Sequence, residues 1–316
     1  MYKILIPQDI HQKAKEFLLQ KGYEIQVGPG FDEETLLREV PTADALIVRT
    51  AVYSEKVIRA GTKLKIIARH GVGVDNLPLE QAKKQGVWVT VAKGTNVTSV
   101  AEHTIALILA AAKMLVTFDG EIRRDNFTIR NKVHGMEISG KKLGLIGIGA
   151  IGSKVAEIAA HGFGMEILAY DIYKPKTLPD FVSWQNSLAD VFKAADIITV
   201  HVPLTPETDN LINKTSIDTM KDGVIIVNCA RGGIVNESDL AAALKSGKVK
   251  AAALDVFGKE PPDADNPLLK LSNVILTPHN AALTDEAAEA MAMSCAIAVD
   301  DVLSGRSPKF PIVQPN

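Results

Sequence analysis

The sequence has few of the residues that build cross-linked proteins. Its 316 residues include only two cysteines, Cys229 and Cys295, and they form no C-x-x-C pair. We therefore expect neither a disulfide framework nor a zinc site, and no metal is expected elsewhere. Such low cysteine usage is typical of a reducing compartment, so we expect a cytoplasmic protein.

An excess of one charge is also missing. The 35 Lys and Arg nearly balance 37 Asp and Glu, which gives a formal net charge of −2. Without surplus positive charge, nucleic acid and anionic membranes are not expected partners. No apolar run approaches the roughly 20 residues of a membrane span. The apolar N-terminal run of residues 3–6 is broken by Pro7 and is too short for a signal peptide.

What the sequence does contain is a repeated alternation of short apolar runs with helix-like stretches, which predicts βαβ units and parallel sheets. At roughly 100–200 residues per domain, we expect two domains. The first series has strands near 3–6, 45–48, 66–68 and 87–91, and the second has five or six strands between 142 and 277. A long apolar helix over 98–116, expected to be buried, and a closing helix over 285–303 complete the pattern.

A glycine-rich turn follows the first strand of the second series. Gly147, Gly149 and Gly152 form G-x-G-x-x-G between a strand and a helix that begins near Ile151. This pattern brings a dinucleotide pyrophosphate to the N-terminus of the helix. Asp171 ends the next strand about 20 residues later, where an acid bonds ribose hydroxyls and repels a 2′-phosphate. The sequence therefore predicts NAD as the cofactor. Because the motif lies mid-chain, we expect the nucleotide domain to be inserted into the first domain.

Three polar residues follow later strands: Arg231, Glu260 and His279. Ligands of open α/β sheets bind beyond the carboxyl ends of the strands, so these side chains could share one cleft. An imidazolium can protonate a carbonyl oxygen, a carboxylate can hold the imidazole, and an arginine can fork onto a substrate carboxylate. We predict reduction of a small 2-keto acid by these residues. His201, His103 and Cys229 are discounted as catalysts; His103 is expected to bond a backbone group.

The blocks Asn228-Cys229-Ala230-Arg231-Gly232-Gly233, Ala253-Leu254-Asp255-Val256-Phe257 with Glu260-Pro261, and Pro278-His279 resemble the signatures of the D-isomer-specific 2-hydroxyacid dehydrogenases. The likeness extends over nearly the whole chain and is nearest to the phosphoglycerate dehydrogenase and hydroxypyruvate or glyoxylate reductase branches. It implies two doubly wound parallel-sheet domains, a Rossmann domain over 99–285 inserted into a flavodoxin-like substrate domain formed by 1–98 and 286–316. It also implies a homodimer formed through the nucleotide domains.

The resemblance further implies roles for individual residues. Arg231 would orient substrate, and Glu260 with His279 would form the acid/base pair. The residues it places against the nucleotide are Gly147, Gly149, Ala150, Ile151, Gly152, Asp171, Val202, Pro203, Cys229, Ala230, Arg231, Asp255 and His279, with Asp255 on the nicotinamide carboxamide. In the first domain, the backbone at Val72 and Gly73 would hold the substrate carboxylate.

Some features leave the substrate open. Arg49 and Arg69 match positions that carry arginine in phosphoglycerate enzymes, which keeps a phosphorylated substrate in consideration, whereas His70 departs from the small residue common in those enzymes. The sequence continues only briefly after the closing helix, which leaves no room in it for the C-terminal regulatory domain of longer phosphoglycerate dehydrogenases.

Three other functions share this architecture. A formate dehydrogenase has glutamine as the partner of its histidine, so Glu260 argues against it. An NAD-sensing corepressor remains an alternative, although the sequence lacks extended disordered tails. A pure NAD-binding scaffold would have no use for Arg231, Glu260 and His279 together.

Overall fold

A computed structural model describes residues 1–315, and the chain divides into two compact units. Unit 1 comprises Met1–Asn96 and the C-terminal segment from Leu283, and unit 2 comprises Val97–Ala282. Among residues 1–315, no helix is both long and apolar enough to cross a bilayer.

Unit 1 is a six-stranded sheet with helices along the chain between its strands. The strand order is β13-β5-β4-β3-β1-β2, and all neighbours are parallel except the pair formed by β13 and β5. Without β13 the order is 2-1-3-4-5, the flavodoxin-like arrangement. The elements are β1 Lys3–Ile6, α1 Gln12–Gln20, β2 Glu24–Val27, α2 Glu33–Glu39, η1 Val40–Thr42, β3 Ala45–Val48, α3 Glu55–Ala60, β4 Ile66–Arg69, α4 Leu79–Lys84, β5 Trp88–Val91, α11 Asp285–Leu303 and β13 Pro311–Val313.

The inner strands of unit 1, which are β1, β3, β4 and β5, are buried on both faces, whereas the edge strand β2 is partly exposed and was not predicted. Along β3, Leu46 and Val48 belong to one apolar cluster, while Ala45 and Ile47 belong to the cluster on the other face, which α11 covers. A strand buried on both faces reads as a continuous apolar run rather than an alternating one, which is why these strands were visible in the sequence. Thr284 caps α11, its side chain accepting a hydrogen bond from the Ala287 amide.

Unit 2 is a seven-stranded parallel sheet in the order β12-β11-β10-β9-β6-β7-β8. Counted from β6, this is the 3-2-1-4-5-6 Rossmann order with one added strand, and the fold class predicted from the sequence is confirmed. The elements are α5 Val97–Lys113, α6 Leu115–Arg123, η2 Phe127–Asn131, β6 Lys142–Ile146, α7 Ala150–Phe163, β7 Glu166–Tyr170, β8 Val182–Trp184, α8 Leu188–Ala194, β9 Ile197–Val200, α9 Lys214–Thr219, β10 Val224–Asn228, α10 Glu237–Ser246, β11 Val249–Leu254, η3 Pro267–Lys270 and β12 Val274–Leu276.

The long helix differs from the prediction. It ends at Lys113 rather than continuing to 116, because Met114 takes a left-handed conformation with φ 55° and α6 starts anew at Leu115. α5 is buried against the sheet as expected, but α6 has no buried residue. The apolar pattern continues through the break, so hydrophobic periodicity does not reveal it.

Candidate active site

The glycine turn lies between β6 and α7, and two of its glycines are there for steric reasons. Gly147 has φ 93°, and a Cβ on it would lie 2.6 Å from the His201 carbonyl oxygen. A Cβ on Gly152 would lie 2.1 Å from the carbonyl oxygen of Gly147, so only glycine allows α7 to start this close to the turn. A Cβ on Gly149 would meet nothing within 4 Å. The turn therefore leaves open space at the first turn of α7, where backbone N–H groups favour an anion.

Asp171 follows β7 and braces this turn. Its Oδ2 accepts a hydrogen bond of 2.9 Å from the Ile148 amide, a contact that the sequence did not predict. Directly after it, Ile172 and Tyr173 are 76% and 80% exposed. The exposed apolar side chains suit the flat face of a nucleotide base. The carboxylate beside them suits the hydroxyls of its ribose. Neither residue was predicted from the sequence, although their apolar character after Asp171 was a usable signal.

His201, Val202 and Pro203 follow β9 next to the glycine turn. The Nε2 of His201 is 3.0 Å from the Thr199 hydroxyl oxygen. Burial lowers the pKa of His201 to about 4, so the ring is neutral near pH 7. A neutral, anchored imidazole fits a structural residue beside the cofactor turn rather than a second acid.

Arg231 is held in a turn after β10. Buried Asn228, another residue that the sequence analysis missed, fixes this turn: its Nδ2 donates to the Arg231 carbonyl oxygen at 2.8 Å and its Oδ1 accepts from the Ala230 amide at 2.9 Å. Arg231 Nη1 donates to the Ala230 carbonyl oxygen at 2.7 Å. A Cβ on Gly232 would lie 1.7 Å from the Phe257 carbonyl oxygen, so glycine lets the Arg231 turn approach the segment that carries Glu260.

Glu260 and His279 form a hydrogen-bonded pair. His279 Nδ1 is 2.7 Å from Glu260 Oε2, and Glu260 Oε1 accepts from the Phe257 amide at 3.1 Å. Burial alone would raise the pKa of Glu260, but the His279 ring, the Phe257 amide and the Arg231 charge together hold that pKa below its usual value. Glu260 is therefore a carboxylate at neutral pH that fixes Nδ1–H and leaves Nε2 as the ring nitrogen for chemistry.

His279 has a backbone φ of 51°, in the left-handed region that non-glycine residues rarely occupy. Asp255, at 0% exposure, holds the next two residues: its Oδ1 accepts from the Asn280 amide at 3.0 Å and its Oδ2 from the Ala281 amide at 2.9 Å. A cavity of ≈ 420 Å³ lies against the pair, lined by Phe257, Glu260, Pro261, Pro262, Leu276, Thr277, Pro278 and His279. Unit 2 therefore contains Arg231, Glu260, His279 and Asp255 on neighbouring turns.

The predicted substrate loop in unit 1 follows β4. Arg69 folds back over it, Nε donating to the Gly73 carbonyl oxygen at 2.8 Å and Nη1 to the His70 carbonyl oxygen at 2.5 Å. Arg49 Nη1 donates to the Asp9 carbonyl oxygen at 2.7 Å. Val72 is 44% exposed. Both arginines thus bond backbone carbonyl groups and bring positive charge to this loop.

His70 is buried in the same loop, at 6% exposure, and its Nε2 has no hydrogen-bond partner in the structure. Burial, with the neighbouring charges of Arg49 and Arg69, lowers the pKa of His70 to about 4. The ring is therefore neutral near pH 7, and it adds no positive charge to the loop.

Comparison with known proteins identifies the family. Residues 105–281 match the model of the D-isomer specific 2-hydroxyacid dehydrogenase NAD binding domain, which confirms the predicted cofactor. The D-3-phosphoglycerate dehydrogenase of Archaeoglobus fulgidus is 46% identical over 287 residues, 90% of this chain and 54% of that protein. The chain thus spans about half the length of this curated relative.

A second relative is matched over nearly all of its length. The hydroxypyruvate reductase of Thermotoga maritima is 41% identical over 289 residues, 90% of this chain and 93% of that protein. Among solved structures, D-lactate dehydrogenase from Aquifex aeolicus, in complex with NAD and lactic acid, superimposes with a TM-score of 0.88 at 29% identity. The superposition covers 99% of this chain and 100% of that one.

Proposed function

The chain belongs to the D-isomer specific 2-hydroxyacid dehydrogenase family, and from that premise we propose that it is an NAD-dependent oxidoreductase interconverting a small 2-keto acid and its D-2-hydroxy acid. The observation that carries this proposal is the 2.7 Å pair between His279 Nδ1 and Glu260 Oε2. The pair leaves one imidazole nitrogen available at a cavity, which is what proton transfer to a carbonyl oxygen requires.

The residues of unit 2 suit the cofactor. Gly147, Gly149 and Gly152, with Ala150 and Ile151 at the start of α7, would hold the pyrophosphate, and Asp171 would accept bonds from the adenosine ribose. Val202, Pro203, Cys229, Ala230, Arg231 and His279 would lie along the dinucleotide, and Asp255 at its carboxamide. When bound, NADH supplies the hydride that C2 of the keto acid receives.

His279 supplies the proton. In the reducing direction its Nε2–H protonates the carbonyl oxygen as C2 becomes a C–H carbon, and the ring is left neutral. Glu260 accepts Nδ1–H throughout, which fixes the ring orientation and keeps Nε2 as the nitrogen that gives up the proton. Arg231 pairs with the substrate carboxylate through its planar guanidinium. In the oxidising direction the same nitrogen accepts the hydroxyl proton.

For the substrate we propose hydroxypyruvate or 3-phosphohydroxypyruvate, the keto acids of the two branches that the relatives represent. In unit 1 we assign binding of an anionic substrate group to Arg49, Arg69 and the backbone of Val72 and Gly73. The charge that Arg49 and Arg69 bring to this loop supports the assignment.

The proposal is tested by NADH oxidation with purified protein against hydroxypyruvate, glyoxylate, pyruvate, 2-ketoisocaproate and 3-phosphohydroxypyruvate. We expect one keto acid to dominate, and His279→Ala to lower its kcat by about 10³-fold while the variant still binds NADH. His134→Ala, which removes an exposed histidine of the same unit, is the control. NADH binding without turnover of any keto acid would favour the corepressor or scaffold function, and normal turnover in His279→Ala would remove the proposed acid.

We also propose a cytoplasmic homodimer formed through unit 2. Leu115, Val116, Ile122 and Phe127 are 52–65% exposed on α6 and η2, an apolar surface that a second copy would cover. The two cysteines are buried and unpaired, which fits a reducing compartment. Light scattering should give twice the mass of one chain for the wild type and a shift toward the monomer for Phe127→Asp; a monomeric wild type would contradict the dimer.

A further inference from the structure

α5 places the ring of His103 beside Asp255, the buried carboxylate beneath the turn that carries His279. His103 Nε2 lies 3.2 Å from Thr277 Oγ1 and 3.6 Å from Asp255 Oδ1, and its side chain is only 21% exposed. The partner is thus the Thr277 hydroxyl rather than the backbone group expected from the sequence. The surrounding positions on α5 bury small or aliphatic residues, among them Val100, Ala101 and Leu107. α5 also buries the polar Ser99 and Thr104, so it is the position of the His103 ring beside Thr277 and Asp255 that needs a reason.

The hydrogen bonds fix the direction in which protons are shared. Thr277 has one hydroxyl proton, and it is donated to Asp255 Oδ1 at 2.5 Å. The Thr277 oxygen can then only accept from His103, so His103 carries its proton on Nε2. The result is a donor chain that runs from His103 through Thr277 to Asp255.

This chain ends on the group that shapes the His279 turn. Asp255 is 0% exposed and receives the Asn280 and Ala281 amides, while the His279 amide donates to the Thr277 carbonyl oxygen at 3.0 Å. A left-handed backbone at a non-glycine residue is unfavourable and persists only where its surroundings hold it. Thr277 and Asp255 are the residues that hold it here.

We propose that His103 is a positioning residue for the reaction, which acts through Thr277 and Asp255 to hold the turn that presents His279. The inference rests on the proposed function, because His279 is its acid. A buried carboxylate orients its neighbours only if its donors are themselves fixed. His103 fixes the Thr277 hydroxyl, which could otherwise rotate away from Asp255.

The first test needs no enzymatic activity. Hydrogen–deuterium exchange of the unliganded protein should show faster exchange at the Asn280 and Ala281 amides in His103→Leu, by about tenfold, and wild-type exchange in His103→Gln. Glutamine suits the rescue because its Nε2 can donate from nearly the position of the histidine Nε2. Unchanged exchange in His103→Leu, or equal acceleration in His103→Gln, overturns the proposal. If His103→Leu does not fold, Thr277→Val provides the same comparison, and wild-type exchange in that variant overturns it.

The second test separates positioning from simple stability. We expect His103→Leu to lower kcat about tenfold with little change in the KM for the keto acid or in the NADH dissociation constant, and His103→Gln to retain most of kcat. His134→Leu is the matched control. The double variant with His103→Leu and Thr277→Val should lose no more of kcat than the more impaired single variant, because both changes break the same chain of hydrogen bonds. Additive losses, or a loss confined to KM, would overturn the inference. If the wild type reduces no keto acid, the proposed function fails while the exchange comparison still decides the role of His103.

Discussion

The two units place a glycine-containing turn after the carboxyl end of a parallel strand, but they brace it with opposite charges. In unit 2 the Asp171 carboxylate accepts a hydrogen bond from the Ile148 amide of the turn. In unit 1 the Arg69 guanidinium donates to the His70 and Gly73 carbonyl oxygens of the loop. The carboxylate therefore accepts from an amide of its turn, whereas the guanidinium donates to carbonyl groups.

This difference indicates what each turn can bind. A cationic brace that bonds carbonyl groups leaves positive charge beside the loop, which favours an anion such as a carboxylate. In unit 2 the N-terminus of α7 favours a phosphate, while the carboxylate at the end of β7 favours hydroxyl donors beside it and repels a 2′-phosphate. Because both turns follow parallel strands, we expect the sign of the bracing side chain to contribute to the difference between the ligands proposed for the two units.

The largest effect is expected from removing the cationic brace. Arg69→Leu should raise the KM for the keto acid about 100-fold, because it removes two charge-assisted hydrogen bonds that shape the loop and the charge that attracts the anion. The KM of Arg69→Lys should lie between those of the wild type and Arg69→Leu, because lysine keeps the charge but lacks the planar guanidinium that makes two hydrogen bonds. Steady-state kinetics are the measurement, with the exposed Arg59→Leu of α3 as the control. An unchanged KM in Arg69→Leu would show that the Arg69 guanidinium does not help the unit 1 loop to bind an anion.

The next effect concerns His70, which adds no charge to the cationic loop at neutral pH. Its pKa is about 4 when folded, against roughly 6.5 in an unfolded chain. Its contribution to stability is therefore complete above about pH 6.5 and is lost as the pH falls toward 4, because the unfolded state binds the proton first. At pH 5 the loss should be about 2 kcal/mol.

The loss can be measured within unit 1 alone. Trp88 lies in unit 1 and Trp184 in unit 2, and the chain has no other tryptophan. In a Trp184→Phe background, urea unfolding is followed by Trp88 fluorescence. The free energy of unfolding should fall from pH 7 to pH 5, and His70→Gln should weaken that pH dependence. His11→Gln, at the other histidine of unit 1, should keep it. Equal pH dependence with and without His70 would contradict a neutral buried ring.

Patterns local in sequence could be predicted. The strands that are buried on both faces read as apolar runs, whereas the partly exposed β2 and the short β8 were missed. The G-x-G-x-x-G turn is readable because its spacing follows from the tight turn, the approach of a pyrophosphate and the packing of the helix on the strand. Arg231, Glu260 and His279 could be named because strand ends converge on one edge of a parallel sheet. The structure brings the turns that carry them together within unit 2.

The hydrogen bonds that brace these turns could not be predicted. The Asp171 carboxylate meets the Ile148 amide across 23 positions, and the Thr277 hydroxyl meets Asp255 across 22. Such pairings depend on strand register, which no local pattern specifies. The break at Met114 and the antiparallel edge strand β13 were missed for a related reason, because neither leaves a mark in hydrophobic periodicity.

The smallest effect separates the two roles of the anionic brace. Asp171→Asn keeps an oxygen that can accept from the Ile148 amide but removes the charge, whereas Asp171→Ala removes both. We expect Asp171→Asn to improve binding of NADPH about tenfold while NADH binding changes little, because only the repulsion of the 2′-phosphate is lost. Asp171→Ala should weaken binding of both cofactors, since the turn loses its brace as well. Fluorescence titrations of both dinucleotides give these constants, with exposed Asp180→Asn as the control. If the two variants behave alike, the carboxylate acts only through its charge, and the hydrogen bond to Ile148 has no part in holding the turn for the cofactor.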